Sequence, residues 1–246
     1  MGAKHDTIDT VVFDLGGVLI DWNPRYLYRR LFDNEAAMER FLAGVCTSAW
    51  NEQQDAGRPW SEAVDSLSAQ FPQHAGLIAA YRDGWREMLG GAIQGSVDLL
   101  AELKRRGVRL YALTNWSHET FPLAKEIERF GFLHWFEGIV VSGEERLIKP
   151  DPRIYQRLFE RYAIEPGRAV YIDDARRNVD AAEALGMRAW WFRGPGGPAR
   201  VAGFTRAGIG IKTARANGPR CLLGLGGRAY GCRSQVWLRP SRAKPM

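Results

Sequence analysis

The stretch Thr10 to Asp21, TVVFDLGGVLID, limits what this chain can fold into more than any other. Val11, Val12 and Phe13 form a short apolar run of the kind that makes a strand buried on both faces, and Gly16 and Gly17 interrupt it at once. A carboxylate, Asp14, is thereby delivered to the end of a strand. In an open parallel sheet, ligands bind in the crevice beyond the carboxyl ends of the strands, so Asp14 stands where chemistry is expected. Asp is a poor strand former, which makes its place after a β-branched run informative. Two readings stay open at this point: a reactive carboxylate, or one that caps the turn.

Beyond Asp21 the pattern turns helical. Asn23-Pro24 reads as a helix start with Asn as N-cap, and Tyr26, Leu27, Leu31 and Phe32 follow on one side. Asn34 opens a second helix carrying Met38, Phe41, Leu42 and Val45. Ser61, Val64 and Leu67 suggest a third, and Leu77, Ile78, Tyr81, Trp85 and Met88 a fourth. At Ser96 a capped helix with Val97, Leu100 and Leu103 begins, ending at Gly107; strand Val108 to Leu113 then runs into Thr114-Asn115. A helical stretch from Ser117 leads to strand Gly138 to Val141, and Lys149-Pro150-Asp151-Pro152 starts a helix carrying Ile154, Leu158, Phe159 and Tyr162. Strand Ala169 to Ile172 ends at Asp173-Asp174, helix Val179 to Leu185 follows, and Arg188 to Phe192 forms a last strand.

Strands alternating with helices imply an α/β fold: a doubly wound, Rossmann-like parallel sheet with right-handed crossovers. Residues 1–21 and 93–193 form this core, and residues 22–92 form a helical-bundle cap inserted beside Asp14. Residues 194–246, a basic Gly/Arg-rich tail without periodicity, are expected to be disordered and dispensable for folding of the body.

The net charge of +6 is set by that tail. The last acidic residue is Glu183, and the body up to it carries 22 cations against 28 acids. A nucleic-acid partner is therefore not expected, although clustered tail arginines would allow one. No apolar run approaches the roughly 18 residues of a membrane span, and the N-terminus has no signal core, so a cytoplasmic protein is expected. Cys46, Cys221 and Cys232 match neither a zinc site nor a disulfide framework and read as reduced thiols. Oligomeric state is not legible.

Four features stand at strand ends or in the loops after them: Asp14, Thr114-Asn115, Lys149 and Asp173-Asp174. Each alone is commonplace, but together on one parallel sheet they describe a site. Asp14 can attack phosphorus or an activated carbon and form an intermediate that water resolves. Asp14, Asp173 and Asp174 would converge, and their repulsion is best relieved by a hard divalent cation, Mg²⁺ being the natural choice for oxygen donors. Thr114 and the amides after it could hold anionic oxygens, while Lys149 would neutralise charge on nucleophile and phosphoryl group.

DLGGVLID, LTN, KPDPRIY and YIDDARRN resemble, in this order, the four motifs of the haloacid dehalogenase superfamily, and the resemblance spans residues 9 to 192. The helical insertion resembles the cap of the subclass that carries it between the first and second motifs. The resemblance implies Asp14 as nucleophile and Thr114, Asn115 and Gly17 as substrate-binding residues, with Lys149 as charge neutraliser. It implies Asp14, the Gly16 carbonyl, Asp173 and Asp174 around the metal, Asp174 ligating directly. The function it implies is Mg²⁺-dependent hydrolysis of a small phosphorylated metabolite, such as a sugar phosphate, through an aspartyl-phosphate on Asp14.

One position departs from the family's phosphatases, which carry a second Asp two residues after the nucleophile as general acid and base. Here it is Gly16. Loss of general acid help is worth roughly 10²–10⁴-fold, so the chain is expected to be slow, to use Asp21, or to favour good leaving groups such as anomeric or acyl phosphates. The DLGG form also resembles a minority of bacterial members, a sugar-1-phosphate phosphatase among them. A 2-haloacid dehalogenase, which needs no acid at Gly16, is the rival enzyme, although those enzymes lack the carboxylate pair at Asp173-Asp174. A binding module with little turnover is the third reading. Trp22, Trp50, Trp60, Tyr81, Trp85 and Trp116 are mostly core candidates, with one or two expected to face the crevice. Arg25, Arg58 and His118 are weaker candidates for substrate contact.

Overall fold

A computed structural model describes residues 8–194; the expectations for the tail beyond them, and for Cys221 and Cys232, lie outside the described residues. Among the described residues five strands form the central sheet or its edges and two more form a ribbon: β1 Thr10–Phe13, β2 Ile20–Trp22, β3 Leu89–Ala92, β4 Arg109–Thr114, β5 Gly138–Val141, β6 Ala169–Asp173 and β7 Arg188–Trp191. The sheet order is β5-β4-β1-β6-β7, with every pairing parallel. β1 is central, all four of its residues are buried, and Phe13 stands level with Ala112 and Ile172. The parallel register therefore brings the carboxyl ends of β1, β4 and β6 to one edge, where Asp14, Thr114 and Asp173 emerge together.

Successive side chains of a strand point to opposite faces, so both faces here need cover. Val11, Phe13, Leu110, Ala112, Val170 and Ile172 pack on one side, in one core with Val97, Leu100 and Leu103 of the following helix. Val12, Tyr111, Leu113 and Tyr171 pack on the other against Ile154, Tyr155 and Leu158. This is the α/β layering expected, with the buried β-branched run at its centre.

Between β2 and β3 lie α1 Arg25–Tyr28, α2 Glu35–Gly44, α3 Ser48–Asp55, α4 Trp60–Gln70 and α5 Ala75–Asp83. The order then continues with α6 Gln94–Arg105, α7 Phe121–Lys125, α8 Ser142–Glu145, α9 Pro152–Tyr162 and α10 Arg176–Ala184. Asn34 caps α2 as expected, its side chain accepting the Ala37 amide. Asn23 accepts the Arg25 amide, but α1 closes after a single turn.

Four expectations need correction. The insertion has five helices rather than four, because α3 (SAWNEQQD) shows no apolar periodicity: it buries Trp50 and a polar Gln54, whose amide bonds the Trp50 carbonyl. The fourth helix ends at Asp83, and Trp85–Met88 form a 3-10 turn leading into β3. The ribbon of β2 and β3 was invisible because β3 is LGGA, and glycine is a poor strand former. Ser96 does not cap α6; the helix starts two residues earlier and buries it.

Candidate active site

The first β-strand ends at Asp14, whose amide donates to the Ile172 carbonyl of β6 at 2.8 Å. Its Oδ1 accepts the Leu15 amide at 2.7 Å and lies 3.0 Å from Lys149 Nζ. Lys149 is buried, and its ammonium also lies 2.7 Å from Asp173 Oδ2. The long side chain thus holds one cation between the carboxylates that end β1 and β6. Asn115, just past β4, clamps the Lys149 backbone from both sides: its Nδ2 donates to the Lys149 carbonyl at 3.1 Å, and its Oδ1 accepts the Lys149 amide at 2.9 Å. The asparagine side chain is therefore spent on positioning Lys149.

Asp173 is wholly buried, and both its oxygens are engaged. Oδ1 accepts from Ala175 N at 2.8 Å and Asn178 Nδ2 at 3.0 Å; Oδ2 accepts from Lys149 and from the Tyr171 hydroxyl at 2.5 Å. Asp174 is set differently. Its carboxylate lies against Gly17, whose φ of +72° and position leave no space for a Cβ: one built there would overlap Asp174 Oδ2. Glycine is required here for conformation and for close approach. Carboxylate oxygens of Asp14, Asp173 and Asp174 all lie within 4.8 Å of one another.

Electrostatics follow from this crowding. Burial, with the charges of Asp173 and Asp174, pushes the Asp14 carboxyl well above its ordinary range despite Lys149. Burial and Asp173 likewise raise Asp174. For Asp173 the burial cost is outweighed by Lys149, which holds its carboxyl low; Asp14 and Asp173 in turn outweigh burial at Lys149 and keep it an ammonium. One cation thus faces three carboxylates, a set that lacks positive charge. Hard oxygen donors at this spacing suit a divalent cation such as Mg²⁺.

The site opens into a cavity of about 240 Å³. Asp14, Gly16, Gly17, Asn115 and Asp174 form its floor from the sheet side, and Trp22, Asn51, Asp55, Trp85 and Trp116 complete it. An adjoining space of about 210 Å³ shares Asp14, Asp55 and Asp174 and adds Lys149 and Arg177. Thr114 is buried nearby at the end of β4, and its hydroxyl has no hydrogen-bond partner. An orphaned buried hydroxyl is a cost unless a ligand oxygen meets it. The Gly17 amide, by contrast, donates to the Ile20 carbonyl at 2.9 Å and is committed to the turn.

The inserted helices are tied to the sheet edge around this cavity. Ser142 Oγ donates to the Asp55 carbonyl at 2.5 Å, the Trp60 indole to Ser117 Oγ at 3.1 Å, and the Trp60 amide to Glu119 at 2.8 Å. Arg177 of α10 pairs with Glu52 of α3 at 2.5 Å.

Of the aromatic candidates, Trp22, Trp85 and Trp116 line the cavity, while inside the insertion Trp60 and Tyr81 stack and Trp50 packs edge-on against both. Arg25 is paired with Glu39 and Arg58 with Glu62, and neither lines the cavity. His118 lies in a turn outside the lining, and Asp21 is on the ribbon, held by the Tyr26 hydroxyl at 2.5 Å. Sequence reasoning missed Asn51 and Asp55, because it missed α3. Their spacing of four residues was the available signal: Asn51 Nδ2 donates to Asp55 Oδ2 at 3.0 Å, on one face of the helix. Burial pushes the Asp55 carboxyl up to about 7, with Glu52 adding to the shift.

Fold and site together define a hydrolase of the α/β class with a cluster of carboxylates at the sheet's carboxyl edge. The chain belongs to the haloacid dehalogenase-like hydrolases, whose family model matches residues 8–186. It is 32% identical over 198 residues to a phosphatase of Mycobacterium tuberculosis, covering 75% of this chain and 87% of that one. It is 27% identical over 185 residues to a sesquiterpene phosphatase of Aspergillus oryzae, covering 74% and 88%. Among solved structures it is similar to a haloacid dehalogenase-family enzyme of Bacteroides thetaiotaomicron in complex with magnesium and inorganic phosphate. That likeness has a TM-score of 0.57 and 26% identity, and covers 76% of this chain and 95% of that one.

Proposed function

We propose that this chain is a Mg²⁺-dependent phosphatase of a small phosphorylated metabolite, working through an aspartyl-phosphate on Asp14. The observation that carries the reading is the placement of Asp14 Oδ1 3.0 Å from the Lys149 ammonium, with Asp173 and Asp174 converging on the same point. A nucleophilic carboxylate attacking a phosphoryl group must overcome the repulsion between two anions, and Lys149 offsets it. Asp174, Asp14 and the Gly16 carbonyl would hold the cation, which would neutralise phosphoryl charge. Asp173, its oxygens already engaged, acts by fixing Lys149 and adding charge to the group. Thr114 offers its unpartnered hydroxyl to a phosphoryl oxygen, and Asn115 keeps Lys149 in register.

Trp22, Trp85 and Trp116 give the cavity flat apolar walls, suited to a substrate with a ring or hydrocarbon body. The phosphatases among its relatives, one of them named for sesquiterpenes, agree with such a range. Among the described residues no helix is long and apolar enough to cross a membrane.

The test is phosphate release from a panel of sugar, nucleotide, acyl and terpenyl phosphates, with Mg²⁺ and with chelator, beside halide release from 2-chloropropionate. Mg²⁺-dependent phosphate release that disappears in Asp14→Asn and Asp174→Ala is the expected result. Chelator-insensitive halide release would replace the reading with a dehalogenase, and full activity in either variant would remove the mechanism.

A further inference from the structure

We propose that Asp55, carried by the inserted helices rather than by the sheet, is the general acid that protonates the leaving group. The inference rests on the phosphatase reading. When Asp14 Oδ attacks phosphorus, the bond from phosphorus to the ester oxygen breaks and its electron pair stays on that oxygen. An alkoxide leaves readily only if a proton reaches it as the bond breaks.

The groups around Asp14 narrow the source of that proton. Gly16 has no side chain, and a Cβ built there would meet nothing within 4 Å, so its side of the floor is open space. Lys149 is locked as an ammonium between Asp14 and Asp173 and faces the nucleophile. Asp173 is fully engaged, and Asp174 belongs to the anionic cluster. Asp21 is bonded to Tyr26 and does not line the cavity. Asp55 does line it, in both of its parts, together with Asp14.

The structure holds Asp55 for such a task. Its Oδ2 accepts from Asn51, its main-chain carbonyl is anchored by the Ser142 hydroxyl, and it closes the last turn of α3. The charged or titratable groups that bear on it are Glu52 on its own helix, itself paired with Arg177, then Lys149, and the Tyr81 phenol of α5. Asp14 and Asp174 share the cavity. Burial and Glu52 outweigh Lys149 and the Ser117 amide, so the carboxyl titrates at about 7 and holds its proton in slightly acidic solution. On bond cleavage the proton passes from the Asp55 carboxyl to the ester oxygen, releasing the alcohol and leaving Asp55 as carboxylate and Asp14 as aspartyl-phosphate.

The test compares kcat/KM, which reports the steps up to alcohol release, for an alkyl phosphate and for p-nitrophenyl phosphate, whose leaving group needs no proton. Asp55→Asn is expected to lower the alkyl value by about 10²–10⁴-fold, with a loss on the nitrophenyl ester at least about tenfold smaller. In the wild type, the ratio of alkyl to nitrophenyl kcat/KM is expected to fall as pH rises through about 7. That second measurement stands even if the variant does not fold. Equal losses on both esters, or a pH-independent ratio, overturn the assignment while the phosphatase reading stands. A wild type inert towards both esters overturns the phosphatase reading and the acid with it.

Discussion

In the metal-free protein, Asp55→Asn is expected to gain stability relative to wild type as the pH rises from 5 to 8. The carboxyl goes from an ordinary value of 3.8 to about 7 on folding. At pH 5 the unfolded chain has already released this proton, while the folded chain still holds it. Wherever the folded state binds more protons, stability falls with rising pH, so the wild type weakens from about pH 4 to about pH 7 and is level above that. From pH 5 upward this spans about two units, or roughly 3 kcal/mol. The residue is partly accessible, and screening by solvent brings the figure to about half, roughly 1–2 kcal/mol. Asparagine keeps the shape and an acceptor for Asn51 but does not titrate. For a chain of this size the change corresponds to about 3–6 °C in Tm. Calorimetric melting of both proteins in chelator at half-unit pH steps measures it. A Tm difference that stays constant across the range would show that Asp55 titrates at its ordinary value, and the reasoning would fail.

Lys149→Met, in chelator, is expected to cost about 3–5 kcal/mol in denaturant titrations, because Asp14 and Asp173 lose the cation they share. A loss below about 1 kcal/mol would mean that the carboxylates relax apart. Gly17→Ala places a Cβ on Asp174 Oδ2 and an L-residue at φ +72°, at about 1–2 kcal/mol. Mg²⁺ binding measured by titration calorimetry should weaken at least about tenfold; unchanged binding would place the cation elsewhere.

The sheet was legible because its strands obey a simple rule. Val11, Val12 and Phe13 are apolar without interruption because both faces of β1 are covered, and Asp14 marks the edge where that cover ends. Lys149, Thr114 and Asp173-Asp174 were findable for the same reason, each following a strand or opening a helix. What escaped is what does not pack by apolar period. Helix α3 buries a glutamine, and β3 is built around Gly90-Gly91. Asp55 was lost with α3: its raised pKa comes first from burial, a cover that the insertion and the loops after β4 and β5 supply from far along the chain, with nearby Glu52 adding to it. The hydrogen bonds of Gly17 and Asn115 to Ile20 and Lys149 were likewise not legible, since they depend on a turn and a side-chain clamp that residue type alone does not announce.

The ribbon of β2 and β3 has a consequence for how such proteins diversify. Ile20 and Ala92 are paired partners, so the chain leaves the sheet and returns to it at nearly one point. Opposed residues in an antiparallel pair stand about 5 Å apart, and everything between them is, to the rest of the molecule, a closed loop. Loop closure depends only weakly on length, so helices can be added or exchanged there at small entropic expense while β1, β4 and β6 keep their register. In this chain that exchangeable segment carries Asp55. If proton delivery resides there, a graft of the segment would transfer the pH response along with substrate choice, and leaving-group preference could change in evolution without any substitution at the sheet edge.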